Sequence, residues 1–251
     1  MKQLNWQKYV FWFASPWRLH ALAGRLVAPL LWLAGLLALP SAWLGFVSTP
    51  ADAVQGEGYR ILYLHVPASW IAMFVYALMA FWSALGLVLR TRVSFMMSHA
   101  LAPTGAWFAA LSLVTGALWG QPMWGTWWVW DARLTSSLLL LFLYLGYLML
   151  QHAHEDPQRA DRSCALLALL GVVNLPIIYF SVRWWNTLHQ GATIAPGKTA
   201  MAAPMLAALL LMCAAAWCYT AATALRRVRL LIEEREAHSR WLDRLQEQEH
   251  A

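Results

Sequence analysis

The chain has 251 residues, of which 61% are hydrophobic and 12% charged, whereas soluble domains carry about 25% charged residues. A water-soluble fold of this size could not hide so much apolar surface. The net charge of +6 falls between apolar runs and no nucleic-acid motif accompanies it, so the basic excess reads as membrane orientation.

Residues 1–25 hold Trp6, Tyr9, Phe11, Trp12, Phe13 and Trp17 with Lys2, Lys8 and Arg18. They lack the apolar core and small-residue end of a cleavable signal. They read as an interfacial segment on the cytoplasmic side, with a disordered tail as the alternative. A spanning helix needs about 20 residues with few charges. Stretches free of Asp, Glu, Lys and Arg occur at 26–51, 61–89, 93–130, 134–154, 163–182 and 199–225. They predict six spans, at roughly 27–47, 65–88, 100–118, 134–151, 164–181 and 201–224. The third stretch also leaves room for an apolar loop. Beyond the membrane domain of 26–225, residues 226–251 are charged and free of Pro and Gly. They are expected to extend the last span as a cytoplasmic helix, either solvated or offered to a partner. Cys164, Cys213 and Cys218 form no CxxC or CxxCH pattern, so they read as small buried hydrophobes.

Lys and Arg set the orientation. Fourteen of them fall in the N-terminal segment, the second and fourth loops and the tail, against four (Arg60, Arg133, Arg183 and Lys198) in the other three loops. The expected fold is therefore all-α and integral to the membrane, with six transmembrane helices and both termini in the cytoplasm. Loops 48–64, 119–133 and 182–200 face outward.

The loop between helices three and four is the densest feature. Trp119, Trp124, Trp127, Trp128 and Trp130 fall within twelve residues, more than a sparse interfacial belt requires. Gly120, Pro122 and Gly125 are expected to interrupt regular helix before Thr126. A short helix from Trp124 would then gather Trp124, Trp127 or Trp128, and Asp131 on one face, a flat platform suited to a large planar ligand. Asp131 also precedes the fourth span, where it could simply cap that helix.

Of eight histidines, only His65 and His189 fall on the outward side; His20, His99, His152, His154, His238 and His250 lie at or near the other. Two neutral imidazoles beside a tryptophan platform supply what axial coordination of a heme iron requires. Arg60, Arg133 and Arg183, with Lys198, are the outward cations available to the heme propionates, and guanidinium suits a carboxylate better than ammonium does. Interface snorkelling is the alternative for each. No P-loop, nucleophile elbow, HExxH or carboxylate pair within a span is present, so no enzymatic activity is expected.

The run WGQPMWGTWWVWDARLTS, residues 119–136, resembles the WWD signature of the heme-handling protein family of cytochrome c biogenesis. Six spans, one WWD loop and one flanking histidine on each side resemble its heme exporter protein C branch, from about Trp17 to Leu225. The resemblance implies non-covalent heme b held between His65 and His189 on the periplasmic side of a bacterial inner membrane. It also implies delivery to a membrane-anchored periplasmic heme chaperone. The implied setting is a complex with ABC-type ATPase and permease subunits and a small membrane subunit. A heme permease and a thioether-forming enzyme are the competing functions. The absence of ionisable residues within the spans disfavours the first, and the shortness of the chain the second.

Overall fold

The computed structural model describes residues 14–189, 194–195, 198–199 and 201–243. The aromatic run Trp6–Phe13 and the last eight residues, Arg244 among them, lie outside the described residues. Six helical segments are long and apolar enough to cross a membrane: Pro16–Ser48, Glu57–Leu89, Arg92–Trp124, Ala132–His152, Pro157–Trp184 and Ala203–Arg235. The protein is an all-α integral membrane protein.

Helix α1 (Pro16–Ala42) opens on Pro16 and runs into a wider π turn, Trp43–Ser48. Proline suits a first turn, where its missing N–H has no partner to lose. Helix α2 (Leu62–Leu89) follows a 3-10 turn, Glu57–Ile61, and ends on Arg90 in the left-handed region. Helix α3 (Arg92–Trp124) has 33 residues, about 50 Å at about 1.5 Å per residue. The hydrocarbon core is about 30 Å thick. The ends of α3 therefore project past the predicted third span, 100–118.

Helix α4 (Ala132–His152) is capped by Asp131, and α5 (Pro157–Gly171) by Asp156. The fifth span is not continuous. It breaks after Gly171 and resumes as α6 (Asn174–Trp184). Pro176 cannot donate to the carbonyl of Val172, and Leu175 N–H bonds that oxygen instead at 3.1 Å. A two-residue ladder pairs β1 (Ile194–Ala195) with β2 (Lys198–Thr199). Helix α7 (Ala203–Arg235) completes the bundle.

The core lies where α2, α3 and α4 meet, around Ile71, Val75, Tyr76, Met79, Tyr144 and Tyr147. Helices approach closely where side chains are small. A Cβ on Gly105 would run into the Tyr144 ring, and one on Gly171 into the Tyr76 hydroxyl. Tyr144 donates to the carbonyl of Ala72 at 2.7 Å.

At the end opposite the tryptophan loop, charge is buried and paired. Asp161 accepts from His99 at 2.7 Å and from both terminal nitrogens of Arg235 at 2.8 and 2.9 Å. Tyr147 joins them, donating to Ser98 at 2.8 Å. Helix α7 carries the last span into the tail as far as Arg235. After Arg235 the chain turns, and Leu242 is buried while the Trp241 ring meets His20 edge-on at 5.8 Å. Apolar Trp241 and Leu242 pull the tail back onto the bundle.

Candidate functional site

Alternation of the helices returns His65, the tryptophan loop and His189 to one end of the bundle. His65 lies in the first turn of α2 and His189 five residues beyond α6. Both line a single cleft between α2, α3, α4 and α6, with about 480 Å³ of space counted to its mouth. Arg133, in the first turn of α4, lines it too. Ser69, Ser112 and Ser137 supply its polar wall, and Ala72, Ala109 and Leu140 its apolar lining.

His65 is oriented by its neighbours. Its Nδ1 lies 3.0 Å from the carbonyl oxygen of Ser112 and 3.1 Å from Thr115 Oγ1. A carbonyl oxygen only accepts, so Nδ1 carries the proton and Nε2 presents its lone pair. Thr115 turns its own proton to Leu111 O at 2.6 Å, leaving its oxygen free to accept. Fixing one ring nitrogen so that the other can ligate is the usual outer-shell device of metal-binding histidines. Gly116 leaves room for the ring, since a Cβ there would come within 3.0 Å of His65 Cε1.

His189 is held neutral. Burial first, then the positive charge of Arg133 and the neighbouring His65, bring its pKa down to about 3. Among the described residues its buried Nδ1 has no hydrogen-bond partner, nor has Thr187 Oγ1 two residues before it.

The tryptophan segment departs from expectation. Helix α3 carries through Gly120 and Pro122 and stops at Gly125, whose φ of 74° and N–H bond to Gln121 O at 2.9 Å end it. There is no short helix from Trp124 to Asp131. Residues 125–131 are non-helical instead, because left-handed Gly125 redirects the chain and Asp131 must adopt the extended backbone of an N-cap. Trp124, Trp127 or Trp128, and Asp131 therefore do not share the helical face expected of them. Trp119 meets His65 edge-on at 5.8 Å and donates to Gln55 Oε1 at 3.0 Å. Trp124 lies tilted over His189 at 5.3 Å. Trp128 and Trp130 pack edge-to-face at 5.4 Å. Trp127 and Trp130 are 58% and 77% exposed, so they form the outer part of the segment.

Asp131 caps α4, its Oδ1 accepting from Leu134 N–H at 2.7 Å. Its Oδ2 and the Nε1 of Trp128 are buried without partners among the described residues.

The cations divide. Arg133 makes no ion pair among the described residues, and its hydrogen bond is a long one, 3.4 Å, to Ile178 O. Arg60 is bound to Glu57 at 2.5 Å, to the carbonyls of Gly45 and Thr49 at 2.6 and 2.8 Å, and to Thr49 Oγ1 at 3.1 Å. It closes the end of α1 and does not line the cleft. Arg183 is exposed and lies over the Phe180 ring at 5.9 Å. The side chain of Lys198 lies outside the described residues. Sequence reasoning missed Ser112 and Thr115, the partners of His65. Their helical spacing carries no signal until α3 is laid beside α2.

The residues present fit an iron macrocycle. There is one imidazole with its lone pair freed and a second held neutral in the same cleft. A half-buried guanidinium that makes no ion pair among the described residues would meet an acidic group, and indole rings edge both imidazoles. The fold and the site define a multi-pass helical membrane protein in which two histidines line one cleft at one end of the bundle. The heme exporter protein C (CcmC) family model matches residues 9–243, and the chain belongs to that family. It is 52% identical to heme exporter protein C of Escherichia coli K12 over 181 residues, 72% of this chain and 74% of the relative. It is 46% identical to heme exporter protein C of Haemophilus influenzae over 206 residues, 81% and 83% of the two chains. A putative cytochrome c biosynthesis ccmC-like mitochondrial protein of Marchantia polymorpha is 45% identical over 163 residues, 65% of this chain and 69% of the relative.

Proposed function

We propose that this protein holds heme b non-covalently, with His65 and His189 as axial ligands, and delivers it for c-type cytochrome biogenesis. The observation that carries the reading is the convergence of His65, His189 and Arg133 on one cleft. Arg133 is the cation placed for a propionate. Arg60 and Arg183 would support the site from its rim. The relatives named heme exporter protein C support the handling of heme.

The charge distribution supports a cleft on the periplasmic side of a bacterial inner membrane. The recipient is a membrane-anchored periplasmic heme chaperone, and the setting is a complex with ABC-type ATPase and permease subunits and a small membrane subunit. Exposed Trp127 and Trp130 suit an edge where heme is passed on, with Asp131 beside it. The protein itself performs no bond chemistry on this reading.

The shape of the cleft favours holding over conduction. Its lining stops at Ala72 and Leu140, and the bundle beyond is filled by Tyr76, Met79, Tyr144 and Tyr147, each 1% exposed or less. Heme bound to iron ligands in a closed pocket gives a stable low-spin absorption spectrum; heme in transit does not. Purified protein should show that spectrum. If His65→Ala and His189→Ala both retain it unchanged, the ligand assignment fails. Reporter fusions after Arg60 and Arg183 should read outside, and fusions after Arg92 and Arg162 inside.

A further inference from the structure

Away from the histidine cleft, α7 carries a second, half-buried cation that makes no ion pair among the described residues. Arg227 lies near the end of the bundle opposite the tryptophan loop, and an arginine there normally snorkels outward to water. This one turns inward. Its Nη1 donates to Thr104 Oγ1 on α3, and Thr104 Oγ1 is 3.1 Å from Thr223 Oγ1, one turn deeper on α7. The guanidinium therefore lies level with Thr223, roughly 6 Å nearer the membrane middle than its own Cα, taking four residues at about 1.5 Å each.

Among the described residues no carboxylate pairs with it. Among the described residues Arg227 makes no ion pair, and the hydroxyl it reaches is neutral. The hydroxyl of Thr223 is turned to backbone carbonyls of Tyr219 and Thr220, at 3.0 and 3.1 Å. Arginine has five N–H donors, and one of them is engaged by Thr104. Tyr219 and Leu230, which flank Arg227 on the same side of α7, are 42% and 57% exposed. The site therefore opens sideways onto lipid. An intramembrane cation persists when a counter-charge meets it, and basic pockets between helices recognise lipid head groups.

We propose that Arg227, with Thr104 as the residue that turns it, binds the phosphate of an anionic phospholipid at the α3–α7 seam, in the leaflet opposite the histidine cleft. The ligand class is a phosphodiester or phosphomonoester anion on two acyl chains. The depth of the guanidinium, below its own Cα and against exposed apolar residues, favours an ion carried on a lipid over a free one.

The full chain, extracted from membranes in a mild detergent, is examined by native mass spectrometry. Phosphatidylglycerol or cardiolipin should be retained over phosphatidylethanolamine, and Arg227→Gln should lower that retention at least fivefold. Arg226→Gln, at an exposed neighbour, should leave it unchanged. Should Arg227→Gln fail to fold, Thr104→Val tests the same site, since it removes the hydroxyl that draws the guanidinium inward. As a second readout, micelles doped with phosphatidylglycerol should raise the melting temperature of the wild type more than that of either variant. Equal retention of all lipids by the wild type, or unchanged retention in the variants, overturns the proposal. So does a full melting shift produced by inorganic phosphate alone, which would make the site one for a free ion. Heme content enters none of these readouts, so they stand apart from the function proposed above.

Discussion

Arg133 donates from Nη1 to the backbone carbonyl of Ile178 at 3.4 Å, joining the first turn of α4 to the middle of α6. Both residues line the cleft, so the cation faces a ligand space while touching the helix that leads to His189. A guanidinium held by one long bond keeps most of its donors for something else.

Replacement of Arg133 by Lys should therefore weaken heme retention. A charge-assisted hydrogen bond contributes about 1.5–3 kcal/mol, and ammonium cannot make the bidentate contact with a carboxylate. The expected loss is on the order of 10- to 100-fold in heme affinity, read by titration of the heme-free protein. Heme lacking propionates should bind wild type and Arg133→Lys equally. A preference of the wild type for that heme as strong as for native heme would remove Arg133 from the propionate role.

His65→Ala and His189→Ala should each lose the low-spin spectrum, and added imidazole should partly restore it by filling the vacated iron position. His99→Ala should keep the spectrum but lower the melting temperature. It strips one hydrogen bond from buried Asp161, which keeps Arg235, and a hydrogen bond to a charged group contributes about 1.5–3 kcal/mol. Loss of heme in His99→Ala without loss of stability would contradict this division.

The rings should separate by function. Trp124→Ala removes the indole over His189 and should change the heme spectrum. The double replacement of exposed Trp127 and Trp130 by Ala should leave the spectrum and reduce loading of a co-expressed chaperone. Asp131→Asn keeps a capping acceptor, so its helix should hold, while Asp131→Ala should cost about 1 kcal/mol of stability. A transfer defect in Asp131→Asn would assign the carboxylate a part in delivery. Intact chaperone loading in the double tryptophan variant would reduce the segment to a membrane belt.

The pH response follows from His189. Its pKa in the folded protein, about 3, lies below the ordinary value of about 6.5. The neutral ring is thus the folded form, and heme retention should be flat from pH 8 to pH 5 instead of falling with a midpoint near 6.5. Stability behaves differently. A detached loop can bind a proton below about pH 6.5 and the docked loop cannot, so acid progressively favours detachment. Proteolysis of the loop between Trp184 and Ala203 should speed up as pH falls from 7 to 5 under a protease active throughout. A rate that does not change after correction for protease activity would count against the buried, neutral ring.

Much of this was legible in the sequence because the membrane imposes simple rules. Charge-free stretches located all six spans, and their alternation brought His65 and His189 to one end. The sequence also isolated Arg133, though it could not separate it from Arg60 and Arg183. That distinction depends on where the carbonyls of Gly45 and Thr49 fall, a matter of tertiary packing. The error in the tryptophan loop has a similar origin. Gly120 and Pro122 weaken a helix locally, yet α3 continues through both to Gly125, where the left-handed conformation ends it. The break in the fifth span was equally hidden, since Pro176 sits in an unbroken apolar run.

That break has a mechanical result. His65 belongs to a helix of 28 residues packed on both sides, whereas His189 hangs beyond an 11-residue helix that leans on α4. The two imidazoles are thus an anvil and a jaw. With heme held between them as proposed above, a pull on it would be felt first on the His189 side, and the grip would loosen there while His65 kept its hold.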